Sequence, residues 1–257
     1  MTASLSDFYD KFAGDYHLIF ENWEASMTRQ AAAIASILHR ECPAADTTVL
    51  DCACGIGTQT LGLARLGFSI TGSDVSTGAV ERARSEAALR SLDVPFFVAD
   101  MRNLDELPAG EFHAVICMDN ALPHLLSDPD IAQAADQVRG KLRSGGIFIA
   151  SIRDYDEILA QRPVVQGPVF YSDAGKRRIV FQLWDWQDER LHIFHMYITR
   201  ETSTGWANFH GASVYRAVLR DEITSILKSR GFTNIRWRFP RETGFYQSIV
   251  IATAAAA

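Results

Sequence analysis

Short apolar runs alternate with helical patterns through the first part of the chain. Five such runs lie at residues 48–53, 68–73, 94–98, 112–117 and 146–151. Helical patterns such as residues 77–92 and 129–142 separate them, and a helix over residues 25–40 precedes the first run. Strands that alternate with helices are typical of βαβ units around a parallel sheet. The pattern predicts an α/β domain with a mostly parallel sheet and helices on both faces.

The pattern changes after Arg153 to longer alternating segments at residues 178–187, 191–199 and 213–219. Such segments favour antiparallel strands over further crossover units. A helix over residues 220–229 follows, and the run at residues 246–252 is predicted to return to the main sheet as an edge strand. We therefore predict an antiparallel β lid inserted after strand five. The expected organisation is an N-terminal helical cap at residues 1–44 and a core at residues 45–152. The lid follows at residues 153–219, and a return helix with the final strands of the core at residues 220–257.

The composition is that of a protein with one substantial core. The chain has 257 residues, 47% hydrophobic and 22% charged, and a formal net charge of −6. No apolar run approaches the roughly 20 residues that cross a bilayer, and the first ten residues do not resemble a secretion signal. Nucleic-acid surfaces need clustered basic residues, which this acidity does not favour. We expect a cytoplasmic protein with a small-molecule partner, no nucleic acid and no membrane contact; a homo-oligomer is left open.

The cysteines indicate neither a disulfide framework nor a metal site. The chain has four cysteines, too few for such a framework at this length, and Cys52, Cys54 and Cys117 lie in or beside apolar runs. No second pair or histidine cluster completes a zinc site around Cys52 and Cys54. We expect reduced cysteines and no metal.

Aromatic residues are concentrated toward the end of the chain. Sixteen of the 27 lie in the last 107 positions, together with four of the five tryptophans. The first part of the chain and the lid are therefore expected to do different work.

A glycine-rich turn follows the first predicted strand. It reads Cys54-Gly55-Ile56-Gly57-Thr58, and a helix is predicted from Gln59. Glycines admit a ligand close to the backbone, and a helix N-terminus offers free N–H groups. The next strand ends at Asp74, 17 residues past Gly57, where a carboxylate can accept hydrogen bonds from ribose hydroxyls. Position 60 is Thr, which weakens a dinucleotide interpretation.

Four motifs in order resemble the class I S-adenosylmethionine-dependent methyltransferases. They are the turn just described with the preceding Val49-Leu50-Asp51-Cys52-Ala53, the acid Asp74, the stretch Val98-Ala99-Asp100-Met101, and Leu142-Arg143-Ser144-Gly145-Gly146. The resemblance implies a Rossmann-like sheet, S-adenosyl-L-methionine as cofactor and S-adenosyl-L-homocysteine as product. The cofactor-binding residues that it implies are Ala53, Gly55, Gly57, Asp74, Val75, Asp100, Met101 and Met118.

A second resemblance is to the glycine and sarcosine N-methyltransferases. It is carried by Met118-Asp119-Asn120-Ala121-Leu122-Pro123-His124-Leu125 and Arg153-Asp154-Tyr155-Asp156-Glu157-Ile158-Leu159. It implies that Arg153 pairs with a substrate carboxylate, with Asn120, Tyr171, Tyr197 and Tyr215 on the acceptor side. It also implies that Arg29 meets the methionine carboxylate of the cofactor, with Tyr16 and Trp23 in a segment that closes over the site. Asp119 departs from the usual Gly and could bind a cationic substrate or act as a base.

The sequence leaves several functions open. The first hypothesis is N-methylation of a small amine such as glycine, sarcosine or a modified amino acid. The alternatives are an O-methyltransferase on a small carboxylate or hydroxyl metabolite and a non-catalytic S-adenosylmethionine-binding subunit; a nicotinamide-linked dehydrogenase is disfavoured. Arg153 could instead pair on the surface with Asp154 or Asp156, and His124 could be a proton acceptor or a structural hydrogen bonder.

Overall fold

The computed structural model describes residues 4–44, 46–107, 112–173 and 175–255. This part of the chain contains two β-sheets and eight α-helices. The ends of the predicted cap, core and return segments at residues 1–3, 45, 256 and 257 lie outside these ranges. The helices are α1 Leu5–Phe12, α2 Trp23–Glu41, α3 Thr58–Arg65, α4 Thr77–Leu89, α5 Asp128–Lys141, α6 Tyr155–Gln161, α7 Arg220–Ser229 and α8 Pro240–Thr243. The strands are β1 Thr48–Asp51, β2 Ser69–Asp74, β3 Phe96–Val98, β4 Phe112–Cys117, β5 Leu142–Ile152, β6 Val165–Asp173, β7 Lys176–Trp186, β8 Leu191–Thr202, β9 Gly205–Arg216, β10 Phe232–Arg238 and β11 Ser248–Ala254.

The main sheet has the order β10-β11-β5-β4-β1-β2-β3. Strands β1 to β5 pair in parallel, and β10 and β11 run antiparallel. The chain reverses its direction of travel across the sheet between β1 and β4, and ligands bind outside the carboxyl ends of the strands at such a switch point. The predicted α/β class with a mostly parallel sheet is confirmed.

The last strand does not lie at the edge of this sheet. The prediction of an edge strand at residues 246–252 is wrong, because β11 lies between β5 and β10 and its residues 248–252 are buried. The edge belongs to β10, whose residues 233–238 are only half-buried or exposed. A half-exposed edge strand with several polar residues gives no clear apolar pattern in the sequence.

The second sheet is the antiparallel lid, in the order β6-β7-β8-β9. It follows β5, as predicted, but β9 begins at Gly205 and ends at Arg216, so the predicted strand at 213–219 is misplaced. The first part of β9, residues 205–212, is half-buried or exposed and contains small and polar residues, which explains why the pattern was missed. The strand β6 was also not predicted, and Phe170 within it is 70% exposed.

Side chains on the two faces of the main sheet form separate cores. Val49 and Leu50 are neighbours on β1, both fully buried, and point to opposite faces. Val49 shares a buried cluster with Ile34 of α2, and Leu50 shares another with Ile131 of α5. A fully buried aliphatic side chain stabilises the fold by roughly 1.5–3 kcal/mol. The two cores fix the strand ends that carry the site.

Helix α1 packs between the lid and the carboxyl edge of the main sheet. Phe8 meets Phe194 of β8 edge-on with 5.4 Å between ring centroids, and Phe12 stacks on Phe209 of β9 at 4.8 Å. A Cβ at Gly211 would lie 2.7 Å from the Phe8 ring, so this close approach requires glycine. The lid therefore holds α1 over the strand ends.

Two polar anchors hold the N-terminal segment in the same place. Asp10 Oδ1 accepts hydrogen bonds from Ser76 Oγ at 2.6 Å and from Gly78 N at 2.8 Å, at the start of α4. Arg178 of β7 is 3% exposed and donates to the backbone carbonyls of Leu18 and Phe20.

Among the helices of the described residues, none is long and apolar enough to span a membrane.

Candidate active site

A cavity of about 250 Å³ lies at the carboxyl ends of β1 to β4. Helix α1 closes it from above through Leu5 and Tyr9. Its wall brings together most of the residues predicted to bind a cofactor, namely Tyr16, Ala53, Gly55, Asp74, Val75, Asp100, Met101 and Met118.

The glycine turn and Asp74 form the centre of this cavity. Asp74 Oδ2 accepts a hydrogen bond from Gly55 N at 2.8 Å, and Oδ1 accepts one from Ser76 N at 2.9 Å. Burial raises the pKa of the Asp74 carboxyl, and these N–H donors oppose the rise. Gly55 has φ 53°, and a Cβ placed on it would meet no protein atom within 4 Å. Because Gly55 lines the cavity, its missing side chain leaves that space to a ligand.

Gly57 and Trp23 lie behind the turn and hold it in shape. Gly57 has φ 92°, and a Cβ on it would lie 2.9 Å from Leu61. The Trp23 indole N–H donates to Thr58 Oγ1 at 2.9 Å at the start of α3. Neither residue lines the cavity, and their contacts with the protein keep the loop in shape.

Thr60 has a structural use that the sequence did not reveal. Its hydroxyl donates to Asp51 Oδ2 at 2.6 Å, and both residues are fully buried. Burial raises the pKa of Asp51 to about 7, and the Thr60 hydrogen bond opposes that rise. Thr60 thus ties α3 to the end of β1.

Asp100 and Met101 line the cavity beyond Asp74. Asp100 pairs with Arg102, with Arg102 Nη2 2.6 Å from Asp100 Oδ2. Arg102 also reaches Asp130 at 2.9 Å. This pairing lowers the pKa of Asp100 against the effect of its burial. A flat aromatic ring of a ligand could pack on the apolar Met101 side chain and hydrogen-bond to the polar groups of the neighbouring loop.

A second cavity, of about 820 Å³, lies between the lid, α6 and α8. Arg153 lines it, and so does Arg29, which the resemblance had assigned to the cofactor. Arg153 donates to Gln182 Oε1 at 3.2 Å, and its guanidinium lies 5.1 Å from the Trp184 ring centroid. The cation therefore faces the cavity from an aromatic support.

The acids beside Arg153 in the sequence pair with another arginine. Asp154 Oδ1 lies 2.7 Å from Arg220 Nη1, and Asp156 Oδ2 lies 3.4 Å from Arg220 Nε. The alternative prediction, in which Arg153 pairs with Asp154 or Asp156 on the surface, is therefore wrong, because Arg220 pairs with both acids.

Asn120 positions Arg153 from below. It is 2% exposed, and its Oδ1 accepts from Arg153 N at 3.0 Å while its Nδ2 donates to Tyr155 Oη at 3.0 Å. Its φ of 67° is uncommon for a residue other than glycine, and Asn tolerates it better than most. Both ends of the amide are occupied by the protein, so Asn120 supports the site without facing the cavity.

Asp119 lies where the two cavities meet, since it lines both. Its carboxylate accepts hydrogen bonds from Tyr16 Oη at 2.8 Å and from Tyr246 Oη. Its backbone N–H donates to Ser151 Oγ at 2.8 Å, which fixes the turn after β4. Burial raises the pKa of Asp119, and the two phenols and the charge of Arg153 oppose the rise.

Tyr9 and His124 form a pair beside Asp119 that the sequence analysis did not assign. His124 Nδ1 lies 3.2 Å from the carbonyl oxygen of Val214, and a carbonyl can only accept, so Nδ1 carries the proton. The other nitrogen, Nε2, must then accept the hydrogen bond from Tyr9 Oη at 2.8 Å. Burial lowers the pKa of His124 to about 3, which keeps the ring neutral. Tyr9 consequently donates its proton to His124, and its oxygen can only accept hydrogen bonds from other groups.

The three tyrosines predicted on the lid lie apart from one another. Tyr215 is buried between the rings of His124 and Phe194, at centroid distances of 4.2 and 4.5 Å. Tyr171 packs under the Arg178 guanidinium. Tyr197 stacks on Phe181, its neighbour across β7 and β8, with 4.8 Å between ring centroids. Only Tyr215 adjoins the pair of Tyr9 and His124.

Tyr9, Tyr246 and Gln182 are the site residues that the sequence analysis missed. Tyr9 bonds to a residue 115 positions away, and Tyr246 bonds to one 127 positions away. The helical spacing of the aromatic residues Phe8, Tyr9 and Phe12 is a local signal for α1.

Comparison with known proteins agrees with this architecture. Residues 49–146 match the family model described as a methyltransferase domain. A glycine/sarcosine N-methyltransferase of Parasynechococcus marenigrum (strain WH8102) is 35% identical over 112 residues, which are 44% of this chain and 40% of that protein. The glycine N-methyltransferase of Rattus norvegicus is 36% identical over 141 residues, 50% of this chain and 48% of that protein. The chain thus spans less than half the length of these relatives.

The fold as a whole is similar to that of a cofactor-bound methyltransferase. The structure of CalS10 with bound S-adenosylmethionine, an amino pentose methyltransferase from Micromonospora echinaspora, aligns with a TM-score of 0.72 and 19% identity. The alignment covers 90% of this chain and 92% of that one. At this identity the likeness concerns the fold.

Proposed function

We infer that this chain, whose residues 49–146 form a methyltransferase domain of the class I S-adenosylmethionine-dependent kind, methylates the amine nitrogen of a small molecule. The observation that carries this proposal is the carboxylate of Asp119 at the junction of the two cavities.

The residues of the first cavity fit the cofactor. Asp74, already fixed by two backbone N–H groups, would accept the ribose hydroxyls, and the open space at Gly55 would admit the methionine portion. Met101 and Asp100 would flank the adenine. When bound, the cofactor supplies a methyl group already activated by its sulfonium.

An amine suits Asp119 better than an acid does. A carboxylate substrate would bring a second negative charge beside a buried one, whereas an ammonium is attracted to it. Tyr16 and Tyr246 donate to the carboxylate from the protein side, and its remaining lone pairs are available to N–H donors. An amine at this junction would have its nitrogen between both cavities.

The amine must lose a proton before it can attack. A nitrogen with four bonds has no lone pair, so the ammonium N–H bond must break and the proton must pass to a base. Asp119 lines both cavities, burial raises its carboxyl pKa, and its oxygen would take the proton. A bound cofactor would supply its methyl group to the freed lone pair and would leave as S-adenosylhomocysteine. Tyr9, with its proton held by His124, would orient the remaining N–H.

Arg153 would bind the acceptor at its other end. It faces the same cavity as Asp119 with the opposite charge, and a guanidinium suits a carboxylate. The separation of one negative and one positive group favours a zwitterion, such as an amino acid. The relatives named for glycine and sarcosine support this assignment.

The test is methyl transfer from labelled S-adenosylmethionine to matched amines, carboxylic acids and alcohols. We expect label in amines, and we expect Asp119→Asn to lower kcat/KM roughly 10²–10⁴-fold because it removes the base. Asp185→Asn, a change at a carboxylate on the outer face of the lid, should leave kcat/KM unaltered.

Two outcomes would refute the proposal. Label in acids or alcohols but never in amines would show an O-methyltransferase. Tight binding of S-adenosylhomocysteine with no transfer to any acceptor would show a non-catalytic cofactor-binding protein.

A further inference from the structure

The second cavity is much larger than glycine requires. It encloses about 820 Å³, against about 250 Å³ for the cavity assigned to the cofactor. Pockets of roughly 300–1,000 Å³ hold drug-sized ligands. Glycine has no side chain and would leave most of this space filled with water.

The wall of this cavity combines apolar side chains with five charged residues, Arg29, Asp119, Arg153, Asp154 and Glu157. Asp154 is already paired with Arg220. Val169, Phe239 and Tyr246 are 44%, 43% and 51% exposed and all line it. Phe20 and Phe181 also line it. Exposed apolar side chains grouped around a concave site favour an apolar ligand, because covering them removes their surface from water.

Charge determines how such a ligand would lie. Its amine would meet Asp119, where the two cavities join, and its anionic group would meet Arg153. An uncharged part of the molecule would then contact the apolar residues of the wall, Val169 among them. Val169 belongs to β6, the edge strand of the lid, so the uncharged part of the acceptor would contact the lid.

We propose that the acceptor is an amino acid or amino-acid derivative with a bulky apolar side chain, which the cavity beside Val169 binds while Asp119 and Arg153 bind its charged groups. This rests on the proposed methylation of an amine, and it replaces glycine with a larger acceptor. Val169 is then a residue that sets specificity by the volume it leaves open.

The test measures binding with S-adenosylhomocysteine present, so that it does not depend on turnover. By calorimetry, L-phenylalanine should bind roughly 10- to 100-fold more tightly than glycine, because burying its ring adds apolar contact. Val169→Trp should raise the Kd for L-phenylalanine about 10-fold or more by filling the space. It should leave the Kd values for glycine and S-adenosylhomocysteine unchanged.

A matched control lies on the same strand. Val165 is 46% exposed, close to the 44% of Val169, but it lies off the cavity wall. Val165→Trp should leave all three Kd values unchanged. Equal loss of L-phenylalanine binding in both variants would overturn the assignment of the cavity.

Failure of this inference can be told apart from failure of the proposed function. If glycine binds and is methylated at least as well as L-phenylalanine, the bulky acceptor is wrong and amine methylation stands. If acids or alcohols take the label and no amine does, the proposed function is wrong and this inference falls with it.

Discussion

Neutral His124 makes the folded protein sensitive to acid in a calculable way. Burial lowers the pKa of His124 to about 3 in the folded state, whereas an exposed histidine has a pKa near 6.5. Below pH 6.5 the unfolded chain therefore takes up a proton that the folded chain refuses. Stability contributed by the neutral ring is complete above pH 6.5 and is lost as the pH falls below that value.

The magnitude follows from the pKa difference. At pH 5 the unfolded histidine lies 1.5 pH units below its own pKa, and each unit corresponds to about 1.36 kcal/mol, so the loss is about 2 kcal/mol. The folded pKa lies well below pH 5, so it does not reduce this loss. At pH 7 the loss is close to zero.

The assay is denaturant unfolding of the wild-type protein and His124→Gln at pH 7 and pH 5. The variant cannot titrate, so the wild-type free energy of unfolding should fall by about 2 kcal/mol more than that of the variant. Leu125→Ala, at a neighbouring position that is 4% exposed, is the packing control and should change with pH as the wild type does.

Equal pH dependence in wild type and His124→Gln would refute the reasoning. It would mean that the folded and the unfolded protein bind the His124 proton equally well, so that burial does not keep the ring neutral at pH 5. At that pH Nε2 would carry a proton, and Tyr9 could not donate to it.

Two further variants test the first cavity and the N-terminal segment that Arg178 anchors. Asp74→Asn should raise the Kd for S-adenosylhomocysteine at least about 10-fold, because it weakens charged hydrogen bonds of roughly 1.5–3 kcal/mol to the ribose. Calorimetry measures this Kd, and an unchanged value would contradict the assignment of Asp74 to the ribose. Arg178→Met removes the donor to the Leu18 and Phe20 carbonyls and should cost about 3 kcal/mol in unfolding free energy. The same variant should be cleaved faster by protease within its first 22 residues, and a rate equal to that of the wild type would show that Arg178 does not anchor this segment.

The grouping of residues around the first cavity could be predicted because they lie in local segments. Asp74 ends a parallel strand, Gly55 and Met101 each follow one, and the ends of such strands meet at one edge of the sheet. Strand order and crossover geometry therefore bring them together, whatever the rest of the chain does.

The acceptor side depended on contacts that no local pattern records. Tyr197 and Tyr215 both occur on alternating strands, yet Tyr197 stacks on Phe181 and Tyr215 adjoins His124. The two cases differ only in which face of the lid each side chain occupies. Tyr9 reaches His124 across 115 residues of sequence, a contact that exists only after α1 packs on the lid.

The position of α1 has a consequence for the order of events in a reaction cycle. Leu5 and Tyr9 wall the first cavity, while the second cavity is bounded by other elements. If the proposed function holds, an acceptor would leave without disturbing α1, whereas a displacement of α1 that releases the cofactor would break the Asp10 contacts with α4. Product is expected to depart first, and by-product release to limit turnover. Repeated methylation of one nitrogen would then be distributive, with the partly methylated molecule free in solution between rounds.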